Sequence, residues 1–212
     1  MTRFRSHWFD VGVVLGAALV LVWLIARPNF ASVQLILWVS LITLFLHQFE
    51  EWRWPGWFAG MLNIGLFRSD DPTRYPLNPI SAMVVNVVVG WSGYVLAALC
   101  WSNALWLGVA TLTVSIGNCV FHLVFMPLRL RIPYNPGMAT SLFLFLPTVI
   151  WFFVEASSQG LMTGGDLLIG IPLGIALNVV GIIGVIELLK RLDTEAFPER
   201  MIEPARRRLL DR

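Results

Sequence analysis

Residues 30–52 read FASVQLILWVSLITLFLHQFEEW, and this stretch decides the fold class. No Asp, Glu, Lys or Arg occurs in it before Glu50. A helix of about 20 mainly apolar residues crosses the hydrocarbon layer of a membrane, because each residue advances the helix axis by roughly 1.5 Å. The stretch therefore predicts a transmembrane helix that ends in a polar cluster at residues 47–51, HQFEE.

The rest of the chain has the same apolar character. Hydrophobic residues make up 57% of the 212 residues and charged residues 13%, with a mean hydropathy of +0.73. So few charged side chains cannot cover the surface of a water-soluble protein of this size. We predict an all-α polytopic membrane helix bundle over residues 1–189, followed by a basic tail over residues 190–212. Its six transmembrane helices are expected near residues 8–26, 30–52, 80–101, 104–128, 138–154 and 167–186.

Residues 53–75, between the second and third helices, are rich in apolar side chains but too broken to cross a membrane. Arg53, Pro55, Gly56 and Arg68 interrupt them. Because tryptophan favours the membrane interface, we expect an interfacial or re-entrant segment. It would either anchor the bundle passively or roof a pocket and admit a lipid-like substrate from the side.

The positive charges predict the orientation, because short loops rich in Lys and Arg stay in the cytoplasm. With the N-terminus inside, 14 of the 15 lie on the cytoplasmic side and only Arg27 lies outside. We therefore expect an integral membrane protein with both termini cytoplasmic. The run Arg206-Arg207-Arg208 indicates a tail that either binds the anionic headgroups of the lipid bilayer or is solvated.

Two of the predicted helices each carry a stripe of polar residues. His47, Glu50 and Glu51 share one face of the second helix, because residues three and four positions apart are neighbours on a helix. The stripe on the fourth helix consists of Thr111, Ser115, Asn118 and His122. Ionisable side chains inside a membrane are costly, so they usually mark a functional site.

The two stripes are expected to meet. His47 precedes Arg53 by six residues, roughly 9 Å of helix, and His122 precedes Arg129 by seven residues, roughly 10 Å. Since both arginines mark the cytoplasmic surface, both histidines should lie at a similar depth in the inner leaflet. The topology thus brings together residues that are about 75 positions apart in the sequence.

Each cytoplasmic loop ends in the same four-residue form. These are Pro76-Leu77-Asn78-Pro79 and Pro133-Tyr134-Asn135-Pro136. Asn just before a helix, with Pro in the first turn, is a good N-cap, so both asparagines could simply begin a helix. Alternatively Asn78, Tyr134 and Asn135 line one cytoplasmic pocket together with the positive ends of the helix dipoles.

The polar residues resemble a known motif. HQFEE at residues 47–51 resembles the sequence that names the HXXEE family of bacterial and archaeal integral membrane proteins. Asn118 with His122, and Asn135-Pro136-Gly137, are similar to two further elements of that family. The resemblance covers residues 40–140. It implies a shared membrane fold, a shared polar site and a bacterial-type plasma membrane, but it implies no particular activity.

Imidazole and carboxylate groups at one depth suit a divalent metal, either zinc or iron. The predicted ligands are His47, Glu51 and His122. Glu50 would be the general base, although the roles of Glu50 and Glu51 could be exchanged, and Asn118 or Asn135 would stabilise a developing oxyanion. This predicts a metal-dependent enzyme acting on a lipid-like, membrane-embedded substrate. A metal-free enzyme that uses the two carboxylates as acid and base is an alternative.

Two other functions are compatible with the polar stripes. A proton- or ion-coupled transporter also uses acidic and histidine side chains in the membrane, but here the polar groups thin out toward the outer side. A structural or partner-binding role would need only a hydrogen-bonded network that fixes the helix register. No P-loop, G-x-G-x-x-G or G-x-S-x-G motif occurs, so neither nucleotide binding nor a hydrolase nucleophile elbow is expected. Nor is a nucleic acid an expected partner.

Overall fold

The computed structural model describes residues 2–191 and 195–210, and this part of the chain contains helices and no β-strand. In chain order the helices are α1 (Thr2–Ala26), α2 (Ser32–Trp52), the short α3 (Phe58–Gly60, continued by Met61–Leu66), α4 (Pro79–Leu99), α5 (Leu105–Leu130), α6 (Met138–Ser158), α7 (Gly164–Leu189) and the short α8 (Glu203–Leu209). Within the described residues, all of them except α3 and α8 are long and apolar enough to cross a membrane. The predicted all-α bundle with six spans is confirmed.

The last span begins earlier than its apolar sequence suggests. Thr163 caps α7, because its hydroxyl accepts a hydrogen bond from the Asp166 backbone N–H and the Asp166 carboxylate accepts one from the Thr163 backbone N–H. This reciprocal cap satisfies backbone donors that the first turn leaves free. The helix therefore starts at Gly164 rather than near residue 167, and it runs to Leu189.

Helix α7 packs closely on α5 through two glycines. A methyl group at Gly170 would lie 2.6 Å from the Trp106 carbonyl oxygen, and one at Gly174 would lie 2.4 Å from the Cβ of Thr113. No larger residue fits at either position without moving the two backbones apart. Small residues at such contacts allow the close van der Waals packing that holds membrane helices together.

The two ends of the described chain lie at the same end of the bundle. Arg5 at the start of α1 forms an ion pair of 2.6 Å with Glu195. The backbone N–H of Phe197 donates to the Thr73 carbonyl oxygen at 2.7 Å, and the Asn78 side chain donates to the Leu189 carbonyl oxygen at 2.8 Å. We call this the capped end, because α3 and α8 cover it.

Helix α8 packs against α3, as the approach at Gly60 shows. A methyl group there would lie 2.8 Å from both the Ala205 Cβ and the Met201 carbonyl oxygen. The apolar side chains that the C-terminal segment buries are Phe197, Met201, Ile202 and Ala205. The described part of the basic tail is therefore packed into the core, with its arginines on the outside, and neither tail interpretation made from the sequence included this packing.

Helix α3, within the predicted interfacial segment 53–75, is largely buried, since residues 59–64 are all buried and none of its residues is exposed. Asn63 is completely buried, and its side chain bonds the carbonyl oxygens of Pro72 and Leu77 and the N–H of Leu77. These bonds tie the loop after α3 back onto the helix. The segment forms a fixed cover over the capped end of the bundle.

Candidate metal centre

The last turns of α2 bring three ionisable side chains to the capped end. His47, Glu50 and Glu51 have relative exposures of 2%, 6% and 5%. Their spacing of three and four residues places them on adjoining faces of the helix. A carboxylate that is taken out of water needs a cation or several hydrogen-bond donors around it, so the surroundings of each one indicate its role.

The fourth participant, His122, comes from a π-helical stretch of α5, Phe121–Phe125. π-Helical turns inside α-helices are frequent at functional sites. The imidazole is fully buried and lies against the backbone of Gly137, where an added Cβ would be 2.4 Å from the ring. Gly137 also has a φ of 98°, so glycine is required there both by conformation and by space.

The two histidines and Glu51 converge as the sequence predicts. Glu51 Oε1 lies 3.6 Å from His47 Nε2 and 3.3 Å from His122 Nε2. One ligand atom of each residue lies within 4.8 Å of the others, and all three residues are buried. The other Glu51 oxygen accepts a hydrogen bond from the Trp52 indole at 3.2 Å, which holds Oε1 toward the histidines.

Thr140 fixes which nitrogen of His47 carries the proton. His47 Nδ1 lies 2.8 Å from the Thr140 hydroxyl oxygen. That hydroxyl donates its single hydrogen to the Glu50 carboxylate, at 2.5 Å, so it must accept from His47. Nδ1 is therefore the protonated nitrogen, and in the neutral ring Nε2 presents a lone pair toward Glu51.

Asn135 does the same for His122. Its side-chain N–H₂ donates to the His122 carbonyl oxygen at 2.8 Å, which orients the amide. The amide oxygen then accepts from His122 Nδ1 at 2.7 Å. In the neutral ring His122 Nε2 also presents a lone pair, and neither Nε2 has a hydrogen-bond partner among the described residues.

Three acceptor atoms thus face one another with no donor between them. Such a group is stable only if a cation occupies its centre, either a metal ion or an added proton on one ring. A metal ion could fill this place. Ligands bound tetrahedrally at about 2.0–2.1 Å are about 3.3 Å apart, and Glu51 Oε1 lies 3.3 and 3.6 Å from the two histidine nitrogens.

Glu50 has the opposite surroundings. Its carboxylate accepts hydrogen bonds from the Tyr134 hydroxyl at 2.7 Å and from the backbone N–H groups of Ala139 and Thr140 at 3.1 and 2.8 Å, besides the Thr140 hydroxyl. It therefore binds the N-terminus of α6, where free N–H groups and the helix dipole favour an anion. Burial and the neighbouring Glu50 carboxylate raise the pKa of the Tyr134 hydroxyl, so Tyr134 stays a donor.

The two asparagines of the repeated Asn-Pro element have different roles. Asn78 caps α4, since its side-chain oxygen accepts from the N–H groups of Ile80 and Ser81. Its hydrogen bonds all lead away from the histidines. Asn135 caps no helix and orients His122 instead. Only the second asparagine therefore belongs to the centre in the described structure.

Asn118 lies one turn before His122 and lines a cavity of about 100 Å³ together with His47 and Glu51. Its amide nitrogen donates to the Val114 carbonyl oxygen at 3.0 Å, which is a bond within its own helix. The side-chain oxygen makes no hydrogen bond to a described residue, and Asn118 lies at the cavity wall. Asn118 is thus placed to contact a bound molecule rather than to support a histidine.

Sequence reasoning missed Thr140, which contacts both His47 and Glu50. No motif marks it, because it is one of several hydroxyl residues in an apolar helix that also carries Ser141 and Thr148. It lies two residues after Met138, in the first turn of α6, where free backbone N–H groups attract an anion. The available signal was indirect. Two glutamates with too few cations nearby need hydrogen-bond donors, and Thr140 supplies one of them.

Residues 38–152, just over half of the chain, match the family described as "Protein of unknown function with HXXEE motif". No curated protein and no solved structure matches the chain. The matched range contains His47, Glu51, His122 and the residues that orient them. It excludes α1, α7 and the C-terminal cover of the capped end.

Proposed function

The chain belongs to the HXXEE-motif family, whose function is unknown, and we propose that it is a membrane enzyme with one divalent metal bound by His47, Glu51 and His122. The observation that carries this proposal is the group of three buried acceptor atoms, two of them lacking any hydrogen-bond partner in the described structure. A metal satisfies all three at once and offsets the buried negative charge.

The ligand set indicates catalysis rather than a purely structural metal. Structural zinc sites are closed by four protein ligands, whereas catalytic sites have three and leave a position for water or substrate. Two histidines with one carboxylate occur at catalytic zinc and at non-haem iron. Such a metal supplies Lewis acidity and, for zinc, a bound water with a pKa of about 7.

The surrounding residues divide into two groups by their contacts. Thr140 and Asn135 hold the imidazoles with Nε2 toward the centre, and partners of this kind tune metal affinity. Glu50 is a positioning residue, because a carboxylate that already accepts four hydrogen bonds is a poor general base. Asn118, at the cavity wall, is the better candidate to orient a substrate oxygen.

The orientation of the bundle in the membrane is part of the same proposal. We place the capped end in the cytoplasm of a bacterial-type cell, with both termini there and the centre in the inner leaflet. Arginines gather at that end, and the exposed faces of Arg206, Arg207 and Arg208 suit anionic headgroups. Arg27, at the opposite end, marks the outer surface.

A transporter has less support than an enzyme. The opposite half of the bundle is closed by a core of apolar side chains: Val33, Ile36, Leu37, Leu105, Val109, Leu112 and Phe152. Among the described residues, the buried acidic and basic side chains are His47, Glu50, Glu51 and His122, all at the capped end, so the opposite half has none to pass an ion onward. A polar site confined to one end of the bundle fits an enzyme better than a conduit.

Elemental analysis of the detergent-purified protein tests the proposal. We expect about one zinc or iron per chain in the wild type and background levels in the His47→Ala, His122→Ala double variant. The chain's third histidine supplies a matched control, because His7 lies outside the centre and His7→Ala should keep the metal. Background metal in the wild type after metal-replete expression would refute the proposal.

A further inference from the structure

The cavity beside the metal centre extends deep into the bundle between α2, α4, α5 and α7. It begins at Glu51 and reaches Leu44 on α2, and on α5 it runs from Asn118 to Thr111. Both intervals are seven residues, or roughly 10 Å of helix. The cavity is therefore an elongated space that points from the centre toward the middle of the membrane.

Most of the cavity wall is apolar, and its polar groups beyond the centre are already bonded. Gln48 donates to Asn86 at 3.1 Å and accepts from the Trp91 indole at 2.7 Å. The Tyr94 hydroxyl donates to the Thr111 carbonyl oxygen. An unpaired buried atom occurs at the end of the cavity, His47 Nε2. The space therefore complements a molecule with one polar end and an apolar remainder.

The side of the cavity between α4 and α7 faces the lipid. Val85 and Val89 on α4 and Leu177 and Ile182 on α7 line it, and all four are only half-buried. They lie in the π-helical stretches Val84–Trp91 and Leu177–Gly184, neither of which buries any residue. Half-buried aliphatic side chains therefore form the wall of the cavity on this side.

We propose that this cavity takes one hydrocarbon chain of a membrane lipid, which enters between α4 and α7 and brings its polar end to His47 and Glu51. The wall chemistry, the direction of the cavity and its lipid-facing side carry this inference. The inference depends on the proposed metal centre only in treating the bound lipid as a substrate. Occupation of the cavity by the chain can be measured separately from metal content.

Two glycines allow the cavity to be filled. A methyl group at Gly93 would meet only Thr111 Cγ2, at 3.8 Å, and one at Gly90 would lie at 3.5 Å or more from its neighbours. Leu at either site should therefore project into the cavity without moving a helix, and Leu favours helix over Gly. Gly184→Leu is the matched control, since Gly184 lies outside the cavity and would contact only Val180.

The experiment uses full-length protein in phosphatidylcholine vesicles that contain a phosphatidylcholine with a diazirine midway along one acyl chain. After photolysis, mass spectrometry locates the adducts. We expect wild-type adducts on Leu44 and Tyr94, which line the cavity and are buried, besides those on outward residues such as Val154 and Leu168. In Gly93→Leu the cavity adducts should fall roughly tenfold, because the leucine side chain displaces about two CH₂ groups of the lipid chain and their burial no longer favours binding.

The outcomes separate this inference from the metal proposal. Wild-type adducts confined to outward residues, or cavity adducts that persist in Gly93→Leu, would refute the binding of a lipid chain in the cavity even if the protein holds metal. Cavity adducts in a protein without metal would support the binding of the lipid chain and refute the metal centre. Gly184→Leu should match the wild type, and Gly90→Leu replaces Gly93→Leu if that variant fails to fold.

Discussion

The two neighbouring carboxylates at the end of α2 lie in contrasting regions. Glu50 faces the first turn of α6 and accepts four hydrogen bonds there. Glu51 faces α5 and directs one oxygen at two imidazole nitrogens that have no hydrogen to give. One region is complete without any ion, and the other could hold one. Adjacent residues of the same type are therefore placed for different purposes, helix attachment for Glu50 and, in the proposed centre, cation binding for Glu51.

The largest effect is expected for Glu51→Gln. Metal content should fall to background, because the variant loses a charged ligand. Without metal the amide is well matched, since its N–H₂ can donate to both histidines while its oxygen still accepts from Trp52. The metal-free variant should thus be as stable as the metal-free wild type, or more stable by about 1 kcal/mol, and should unfold at the same or a higher temperature. Elemental analysis and thermal unfolding in detergent check both effects.

The same chemical change at the neighbouring residue should have the opposite result. Glu50→Gln replaces one carboxylate oxygen by N–H₂, so the backbone N–H of either Ala139 or Thr140 faces a donor, and the remaining bond loses its charge assistance. We expect a loss of stability on the order of 3 kcal/mol, with metal still bound. Loss of metal without loss of stability would contradict the roles assigned to Glu50 and Glu51.

A comparison of the two Asn-Pro elements sharpens the role of the histidine partners. Asn135→Ala should lower metal affinity by about 10–100-fold, because His122 Nδ1 loses its acceptor. The matched variant Asn78→Ala removes an equally buried asparagine that caps α4 and should cost about 1 kcal/mol of stability. Its metal affinity, measured by competition with a chelating dye, should remain that of the wild type.

The smallest effect is expected at the edge of the Glu50 region. Tyr134→Phe removes one of the four hydrogen bonds to this carboxylate and leaves the backbone donors in place. We expect about 1–2 kcal/mol less stability and unchanged metal content. A decrease in bound metal would place Tyr134 nearer to the metal centre than its contacts indicate.

Much of the fold was predictable because membrane spans have a simple physical signature. Length and apolarity identify six helices, and the distances of His47 and His122 from their nearest inner arginines place both at one depth. The convergence with Glu51 follows from that depth and from helical periodicity. These inferences use only properties of each helix by itself and of the membrane.

The remaining features depend on which helix neighbours which, and hydropathy does not encode that. Glu50 and Glu51 both fit the same polar stripe, and only the position of α6 decides that Glu50 meets Thr140. The π-helical stretch that turns His122 and the docking of Ile202 against α3 are tertiary effects as well. A sequence shows which faces are polar, but not which partner each face meets.

The most direct test of the central claim is X-ray absorption at the metal edge of the purified, metal-loaded protein. A first shell of nitrogen and oxygen at about 2.0–2.1 Å with the scattering of two imidazoles, and no metal signal in the His47→Ala, His122→Ala double variant, is the expected result. A sulfur shell at about 2.3 Å, which would implicate Cys119 on α5, three residues before His122, or a shell without imidazole would contradict the assignment of the centre.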